Sequence, residues 1–169
     1  DTDIHTLQVL DVACELSNET TVRFAALVHD LGKGVTPPDQ WPSHIRHEQL
    51  GVAVIGQLCE RLKVPTDFRE LGQLVSLEHQ RIHRASEMND ATVLAVLEAA
   101  DAFRRPERFD KVLLACEADA RGRGPELRAR PYPQAQFFRD CFRAAAAVKL
   151  DVEVMQQLAG PAIAQALRV

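Results

Sequence analysis

A histidine and an aspartate stand side by side after an apolar run, at His29 and Asp30. Each of these side chains is costly to bury without a partner. A divalent cation would satisfy both at once, because neutral imidazole and carboxylate are competent ligands for Mn, Fe, Ni, Zn or Mg. The pair therefore predicts a metal site, in which Asp30 could also orient an attacking water.

A lysine between two glycines follows this pair, at Lys33. The glycines end the helix, so the ammonium would lie about one turn beyond the pair, where it could hold a phosphate as a point charge. The alternative is a solvent-exposed lysine that interacts with the C-terminal end of the helix dipole.

Other polar residues lie on or beside predicted apolar helix faces: His5, His47, His79 and Asp101. Taken alone, each histidine is more often an ordinary polar or capping residue than a ligand. Asp101 is surrounded mostly by core residue types, and a buried carboxylate requires a cation or a strong donor. A salt bridge to one of the nearby arginines, Arg104, Arg105 or Arg108, would also satisfy it.

The spacing of the apolar residues predicts an all-α fold, with no alternating strand pattern that competes. Helices are expected over about 3–16, 20–31, 44–62, 67–79, 90–103, 106–120, 134–148 and 151–168. Two loops are expected, a proline-rich one over 34–43 and one rich in Arg, Gly and Pro over 121–133.

The 169 residues fit one domain, with a core over about 1–120 and a helical extension over about 121–169. Because the first residue is Asp1, we expect a piece of a longer polypeptide. The net charge of −4 argues against a surface that traps nucleic acid as a whole, although local basic clusters could still bind it. The cysteines, at positions 14, 59, 116 and 141, are expected to be buried free thiols, which suits the cytoplasm. With no long apolar run, we expect neither secretion nor membrane spanning.

The set His5, His29-Asp30 and Asp101 resembles the signature of the HD-domain superfamily of metal-dependent phosphohydrolases. The resemblance implies a helical bundle in which these four residues hold a divalent metal. Some members have further histidines and a second metal, which implies His47 and His79 as additional metal or phosphate contacts.

A closer resemblance covers nearly all of residues 1–150, through runs that include 5–7, 23–34, 36–38, 117–123 and 132–134. These runs are similar to the C-terminal HD domain of bacterial multifunctional CCA-adding enzymes (tRNA nucleotidyltransferases). The similarity implies 2′,3′-cyclic phosphodiesterase, 2′-nucleotidase and phosphatase activities, with the tRNA 3′ end reached through the parent enzyme. The nucleotidyltransferase head is absent from this chain, so nucleotide addition is not expected of it.

In this interpretation His29, Asp30 and Lys33 are catalytic, and a divalent metal (Ni, Mn, Mg, Co, Fe or Zn) polarises a phosphoryl oxygen. Arg121 and Arg123 would contact phosphate or RNA, unless they lie in a solvated loop or form salt bridges. The competing hypothesis is a tRNA-binding module or a dimerisation module that forms a homodimer, in which the HD site is idle.

Overall fold

The structure, a computed structural model, describes residues 2–148, with side chains from residue 4 onward. This part of the chain holds eight α-helices and no strand, which confirms the predicted all-α fold. The helix predicted at about 151–168 lies outside the described residues. The helices are α1 (Thr2–Leu16), α2 (Thr20–Val28), α3 (His47–Leu62), α4 (Thr66–His83), α5 (Asp90–Ala99), α6 (Pro106–Arg121), α7 (Pro125–Arg128) and α8 (Pro133–Ala147).

Helix α2 is the central element, because it packs against α1, α4 and α6 together. Its residues are mostly apolar, and Val22, Ala25, Ala26 and Val28 are buried. A helix enclosed on several sides places whatever follows its last turn inside the bundle. The His29-Asp30 pair follows this turn directly.

The largest apolar cluster joins α2, α4, α5, α6 and α8. Within it the rings of Phe109 and Phe138 meet edge to face, with their centroids 6.1 Å apart. Aromatic pairs in this geometry add to the stabilisation that apolar burial supplies. This packing fixes α6, which carries a carboxylate of the site in its last turn.

Two glycines allow backbones to approach closely at the edge of the site. A 3-10 turn over Leu31–Val35 lies against α3, and a Cβ on Gly32 would stand only 1.9 Å from the carbonyl oxygen of His47. A Cβ on Gly122, after α6, would stand 2.6 Å from the Cα of Val9 in α1. Both distances are too short for any side chain, so these glycines let α3 and α1 bring their histidines to the centre.

Several helix ends differ from the prediction: α2 ends at Val28 rather than near residue 31, and α3 begins at His47 rather than near residue 44. Helix α5 ends at Ala99 rather than near residue 103, and Asp101 has a φ of 54° in the left-handed region. Aspartate tolerates this conformation better than most residues. Helix α4 continues to residue 83, and the predicted loop over 121–133 contains the short helix α7.

The cysteines are free, but the burial of two of them differs from the prediction. Cys59 and Cys116 are buried and Cys141 is half-buried, whereas Cys14 is exposed on α1. Among residues 2–148, none of the helices combines the length and the apolar character that a bilayer crossing requires.

Candidate metal centre

Four imidazoles are oriented in the same way around the end of α2. In each, Nδ1 lies within hydrogen-bond distance of a main-chain carbonyl, so Nδ1 must carry the proton and donate it. The acceptors are Gly122 for His5 (3.2 Å), Ala26 for His29 (2.7 Å), His44 for His47 (2.9 Å) and Ser76 for His79 (2.9 Å). This arrangement leaves the four Nε2 lone pairs available and directs them toward one region.

Asp30 lies at the centre of this region and is 4% exposed. Its Oδ2 is 3.3 Å from Nε2 of His29 and 3.7 Å from Nε2 of His5. Its Oδ1 is 3.4 Å from Nε2 of His47 and 3.7 Å from Nε2 of His79. Each carboxylate oxygen therefore faces a different pair of imidazoles.

A second buried carboxylate, that of Asp119 on α6, faces the same imidazoles from the other side. Its side chain is 1% exposed, and Oδ1 lies 3.1 Å from Nε2 of His5 and 3.5 Å from Nε2 of His29. The other oxygen, Oδ2, lies 2.6 Å from Nε2 of His83. Arg123 donates to both oxygens, at 3.1 and 3.2 Å.

These residues fit a divalent cation. Neutral imidazole nitrogens and carboxylate oxygens are all acceptors, so they repel each other at these distances unless a proton or a metal ion lies between them. Nε2 of His29, Oδ1 of Asp30 and Nε2 of His47 are buried and find no hydrogen-bond partner among the described residues. Three groupings have ligand atoms within 4.8 Å of one another: His5, His29 and Asp30; His29, His79 and Asp119; and Asp30, His47 and His79.

The electrostatics show which atoms need a cation in the metal-free protein. Burial disfavours protonation of His29, but the carboxylates of Asp119 and Asp30 outweigh it and raise the pKa of His29 to about 10. Burial also opposes ionisation of both carboxylates, yet the facing histidines hold the pKa of Asp30 and of Asp119 well below the usual range. The centre therefore attracts positive charge, which a proton on His29 supplies when no metal is bound.

The pKa values of His47 and His79 shift in opposite directions, because burial and the nearby carboxylates act on them to different extents. Burial lowers the pKa of His79 to about 3, so its ring stays neutral, as a metal ligand must. Its Nε2 accepts a hydrogen bond from the Gln80 amide at 3.2 Å, which a metal ion would have to displace. For His47 burial also disfavours protonation, but the carboxylate of Asp30, 3.4 Å from Nε2, outweighs it and raises the pKa.

Two cations stand at the opening of this centre. The ammonium of Lys33 donates to Oδ2 of Asp30 at 2.5 Å, so it is directed at the site and not out into solvent. With His5 and Arg123 it lines an open pocket of about 390 Å³. A phosphate that entered this pocket would meet both the ammonium and the guanidinium.

Arg121 forms a salt bridge and a loop contact, which was the alternative to phosphate contact. It donates to Glu117 at 2.8 Å and to the carbonyl of Arg128 at 2.7 Å. Arg123 also forms a salt bridge, but its partner is Asp119, so its guanidinium belongs to the centre.

The structure does not bring Asp101 to the imidazoles, which corrects the ligand set inferred from the sequence. Its carboxylate pairs with Arg104 at 2.7 Å and with Arg105 at 3.6 Å, and its side chain is 26% exposed. The physical reason is the early end of α5, because the chain turns at residues 100–105 and leaves Asp101 at the surface. Asp101 instead forms the salt bridges with nearby arginines that were the alternative prediction.

Sequence reasoning missed Asp119 and His83, although both left a signal. Asp119 shares a face of α6 with Val112, Ala115 and Cys116, all buried, so it was also a carboxylate on an apolar helix stripe. His83 follows His79 by four residues, which places the two rings on the same side of α4. Their centroids are 5.9 Å apart.

The chain is similar to known proteins over nearly its whole length. The family model of the HD domain matches residues 2–106. The chain is 53% identical over 168 residues to the Multifunctional CCA protein of Nitrosococcus oceani, which covers 99% of the chain and 41% of that protein. Proteins of the same name from Teredinibacter turnerae and Vibrio cholerae serotype O1 are 50% and 48% identical over 167 residues, covering 99% of the chain and 40% and 41% of their own lengths.

The chain thus spans about two fifths of the length of these relatives. No solved structure gives a significant match. The family match covers more than half of the chain and includes the His29-Asp30 pair, and the relatives agree with it over nearly the whole length. The chain therefore belongs to the HD domain family, and it is similar to the Multifunctional CCA proteins of bacteria.

Proposed function

We propose that this chain is a metal-dependent phosphohydrolase that acts on phosphomonoesters and on 2′,3′-cyclic phosphodiesters of nucleotides. One observation carries the proposal: the Nε2 lone pairs of four buried or half-buried histidines converge on two buried carboxylates, where acceptors face acceptors. Membership of the HD domain family supports it, because HD domains are metal-dependent phosphohydrolases.

The ligands proposed for a divalent ion are His5, His29, Asp30 and Asp119, with His47 and His79 on the far side of Asp30. When bound, such an ion supplies positive charge to a phosphoryl oxygen and lowers the pKa of water. The ligand types suit Ni, Mn, Co, Fe and Zn, and Mg to a lesser degree. The Nδ1 hydrogen bonds to main-chain carbonyls hold each ring in the tautomer that ligation requires.

The cations at the opening would act on the substrate. A phosphoester placed in the pocket lined by His5, Lys33 and Arg123 would present its oxygens to an ammonium and a guanidinium. These groups would offset the negative charge on the equatorial oxygens and hold the phosphorus in line for attack. Lys33 also pairs with Asp30, which keeps that carboxylate ionised and so able to bind a metal or to orient water.

We further infer that the chain acts as one HD-type domain whose metal-site core ends near residue 120, with the extension over 121–169. The relatives bear the name Multifunctional CCA protein, and this supports a tRNA 3′ end as the physiological carrier of the phosphoester. Gel-shift measurements with tRNA at rising salt test this part, because phosphate contacts give an affinity that falls with salt concentration.

The activity is tested by turnover of p-nitrophenyl phosphate, 2′-AMP and 2′,3′-cyclic AMP, each with Ni, Mn, Co, Zn and Mg supplied singly. His29→Ala and Asp30→Asn are expected to abolish turnover with every metal. Asp39→Asn is the matched control, because it makes the same chemical change on an exposed carboxylate and should leave turnover unchanged.

Turnover by His29→Ala or Asp30→Asn at the wild-type rate would refute the proposed site. Salt-dependent tRNA binding by a wild-type protein that hydrolyses none of the three substrates would favour the binding module.

A further inference from the structure

His83 is the exception among the histidines of the centre. Its Nε2 lies 2.6 Å from Oδ2 of Asp119, and a carboxylate at this distance accepts, so Nε2 carries a proton. Its Nδ1 lies 2.8 Å from the hydroxyl of Tyr132, from which the neutral ring accepts a hydrogen bond. The four other rings carry their proton on Nδ1, so His83 has the opposite tautomer and is a donor to Asp119.

The tyrosine at the end of this chain of hydrogen bonds is suited to donate. Burial raises the pKa of Tyr132, so its hydroxyl keeps the proton. Tyr132 is flanked by Pro131 and Pro133, which restrict the backbone on both sides. Two residues later, Gln134 donates from its side chain to the carbonyl of His83 at 3.2 Å. Tyr132 therefore contacts the ring of His83, whereas Gln134, in the first turn of α8, contacts only its backbone.

We propose that His83 and Tyr132 are positioning residues that hold the Asp119 carboxylate with Oδ2 toward α4 and Oδ1 toward His5 and His29. The inference rests on the proposed role of Asp119 as a metal ligand. Oδ2 accepts the His83 proton at 2.6 Å, whereas Oδ1 faces Nε2 of His5 and of His29 at 3.1 and 3.5 Å. A carboxylate held in this way offers one oxygen to the metal and cannot rotate without breaking its shortest hydrogen bond.

This assignment gives a role to a part of the chain beyond the family match, which ends at residue 106. Asp119 and Tyr132 both lie after that point, on α6 and just before α8. Groups that orient a ligand from outside typically change metal affinity about 10- to 100-fold when removed. The segment before α8 would therefore help to set the affinity of the centre.

The test measures Mn²⁺ and Zn²⁺ dissociation constants by isothermal titration calorimetry for Tyr132→Phe, His83→Leu and His83→Gln. We expect about 10-fold weaker binding for Tyr132→Phe and up to about 100-fold for His83→Leu. His83→Gln should restore most of the affinity, because its amide can still donate to Oδ2. The double variant should be no weaker than His83→Leu alone, because both changes break one chain.

Gln134→Ala is the matched control, because it removes the contact to the His83 backbone and leaves the ring contacts intact. It should bind both ions within about twofold of wild type. Wild-type affinity in Tyr132→Phe and His83→Leu, or an equal loss in Gln134→Ala, would overturn the inference. Circular dichroism and thermal unfolding of each metal-free variant exclude loss of the fold as the cause.

A second readout does not depend on metal or turnover. Long-range ¹⁵N NMR spectra of the metal-free protein should show the Nε2–H tautomer for His83 and a changed Asp119 carboxyl ¹³C shift in Tyr132→Phe. An Nδ1–H tautomer for His83 would overturn the inference. A wild-type protein that binds metal with these variant effects but hydrolyses no phosphoester would overturn only the proposed function.

Discussion

The contact between Gly32 and α3 gives a quantitative prediction for the metal centre. In Gly32→Ala the new methyl group would lie 1.9 Å from the carbonyl oxygen of His47 and 2.6 Å from the amide nitrogen of Gly51. Both atoms belong to the backbone of α3, so no side-chain rotation can relieve the overlap. The 3-10 turn and the first turn of α3 must move apart by on the order of 1 Å or more to reach ordinary contact distance.

This movement acts directly on the site, because His47 is the first residue of α3 and its Nε2 lies 3.4 Å from Oδ1 of Asp30. Overpacking of this kind costs about 1–3 kcal/mol of unfolding free energy, which corresponds to a fall in Tm of roughly 2–12 °C for a chain of this size. A displacement of about 1 Å in a catalytic group can lower turnover about 100-fold. We therefore expect Gly32→Ala to remain folded while its turnover falls about 100-fold.

The assay compares Gly32→Ala with Gly34→Ala by urea unfolding, metal content and turnover of 2′,3′-cyclic AMP. Gly34 is the matched control, because a Cβ there would meet no atom within 4 Å and its backbone φ is not positive. Its alanine variant should match or slightly exceed wild-type stability. Equal behaviour of the two variants would refute the claim that the close backbone approach positions the site.

Two further predictions concern pH. In the metal-free protein at pH 7.5, His29 carries an additional proton, because the two carboxylates raise its pKa to about 10. Ligation requires the neutral ring, so metal binding should release about one proton. Equal calorimetric heats of binding in buffers with different ionisation enthalpies would contradict this prediction. Burial lowers the pKa of His79 from 6.5 to about 3, so its neutral form stabilises the fold above pH 6.5, and this contribution is lost as the pH falls toward 3. At pH 5 this loss is about 2 kcal/mol of unfolding free energy. The difference in unfolding free energy between wild type and His79→Asn should therefore narrow by about that amount between pH 7.5 and pH 5. Parallel curves of unfolding free energy against pH for the two proteins would contradict this prediction.

The fold could be predicted well from the sequence because most helices here have clear apolar stripes and boundary residues. Pro106 opens α6 at its first position, and the Asn89 side chain caps α5 by accepting from the amide of Thr92. The role of the His29-Asp30 pair could also be predicted, because burying a His and an Asp after an apolar helix is unfavourable unless a partner such as a metal ion satisfies them. Local sequence specifies these features, so no long-range contact had to be known.

The second carboxylate could not be chosen from the sequence, because the choice depended on where α5 ends. If that helix had continued to residue 103, Asp101 would have followed the buried stripe of Val93 and Leu97. Instead the chain reverses, and Arg104 and Arg105 take the carboxylate at the surface. Helix ends are set by tertiary contacts as well as by propensity. An error of four residues in the predicted end of α5 therefore led to the choice of Asp101 instead of Asp119 as a ligand.

The tautomers of His5 and His83 could not be predicted from the sequence, because they depend on groups that are distant along the chain. His5 donates to Gly122, which is 117 residues away, and His83 meets Asp119 and Tyr132 on other elements. Only the packing of α1 against α6 and of α4 against the segment before α8 places these groups together. The ligand types could be read from the sequence, whereas the orientation of the His5 and His83 rings could not.

The central claim is that a divalent ion is held between the histidines and the carboxylates of Asp30 and Asp119, and not by Asp101. The most direct test is the metal dissociation constant of Asp119→Asn beside that of Asp101→Asn, measured by calorimetry on protein shown to be folded. We expect Asp119→Asn to bind at least about 100-fold more weakly, because it replaces the charged oxygen that faces His5 and His29. Asp101→Asn should bind within about twofold of wild type, since it disrupts only an exposed ion pair. Loss of binding in Asp101→Asn with retention in Asp119→Asn would contradict the proposed centre.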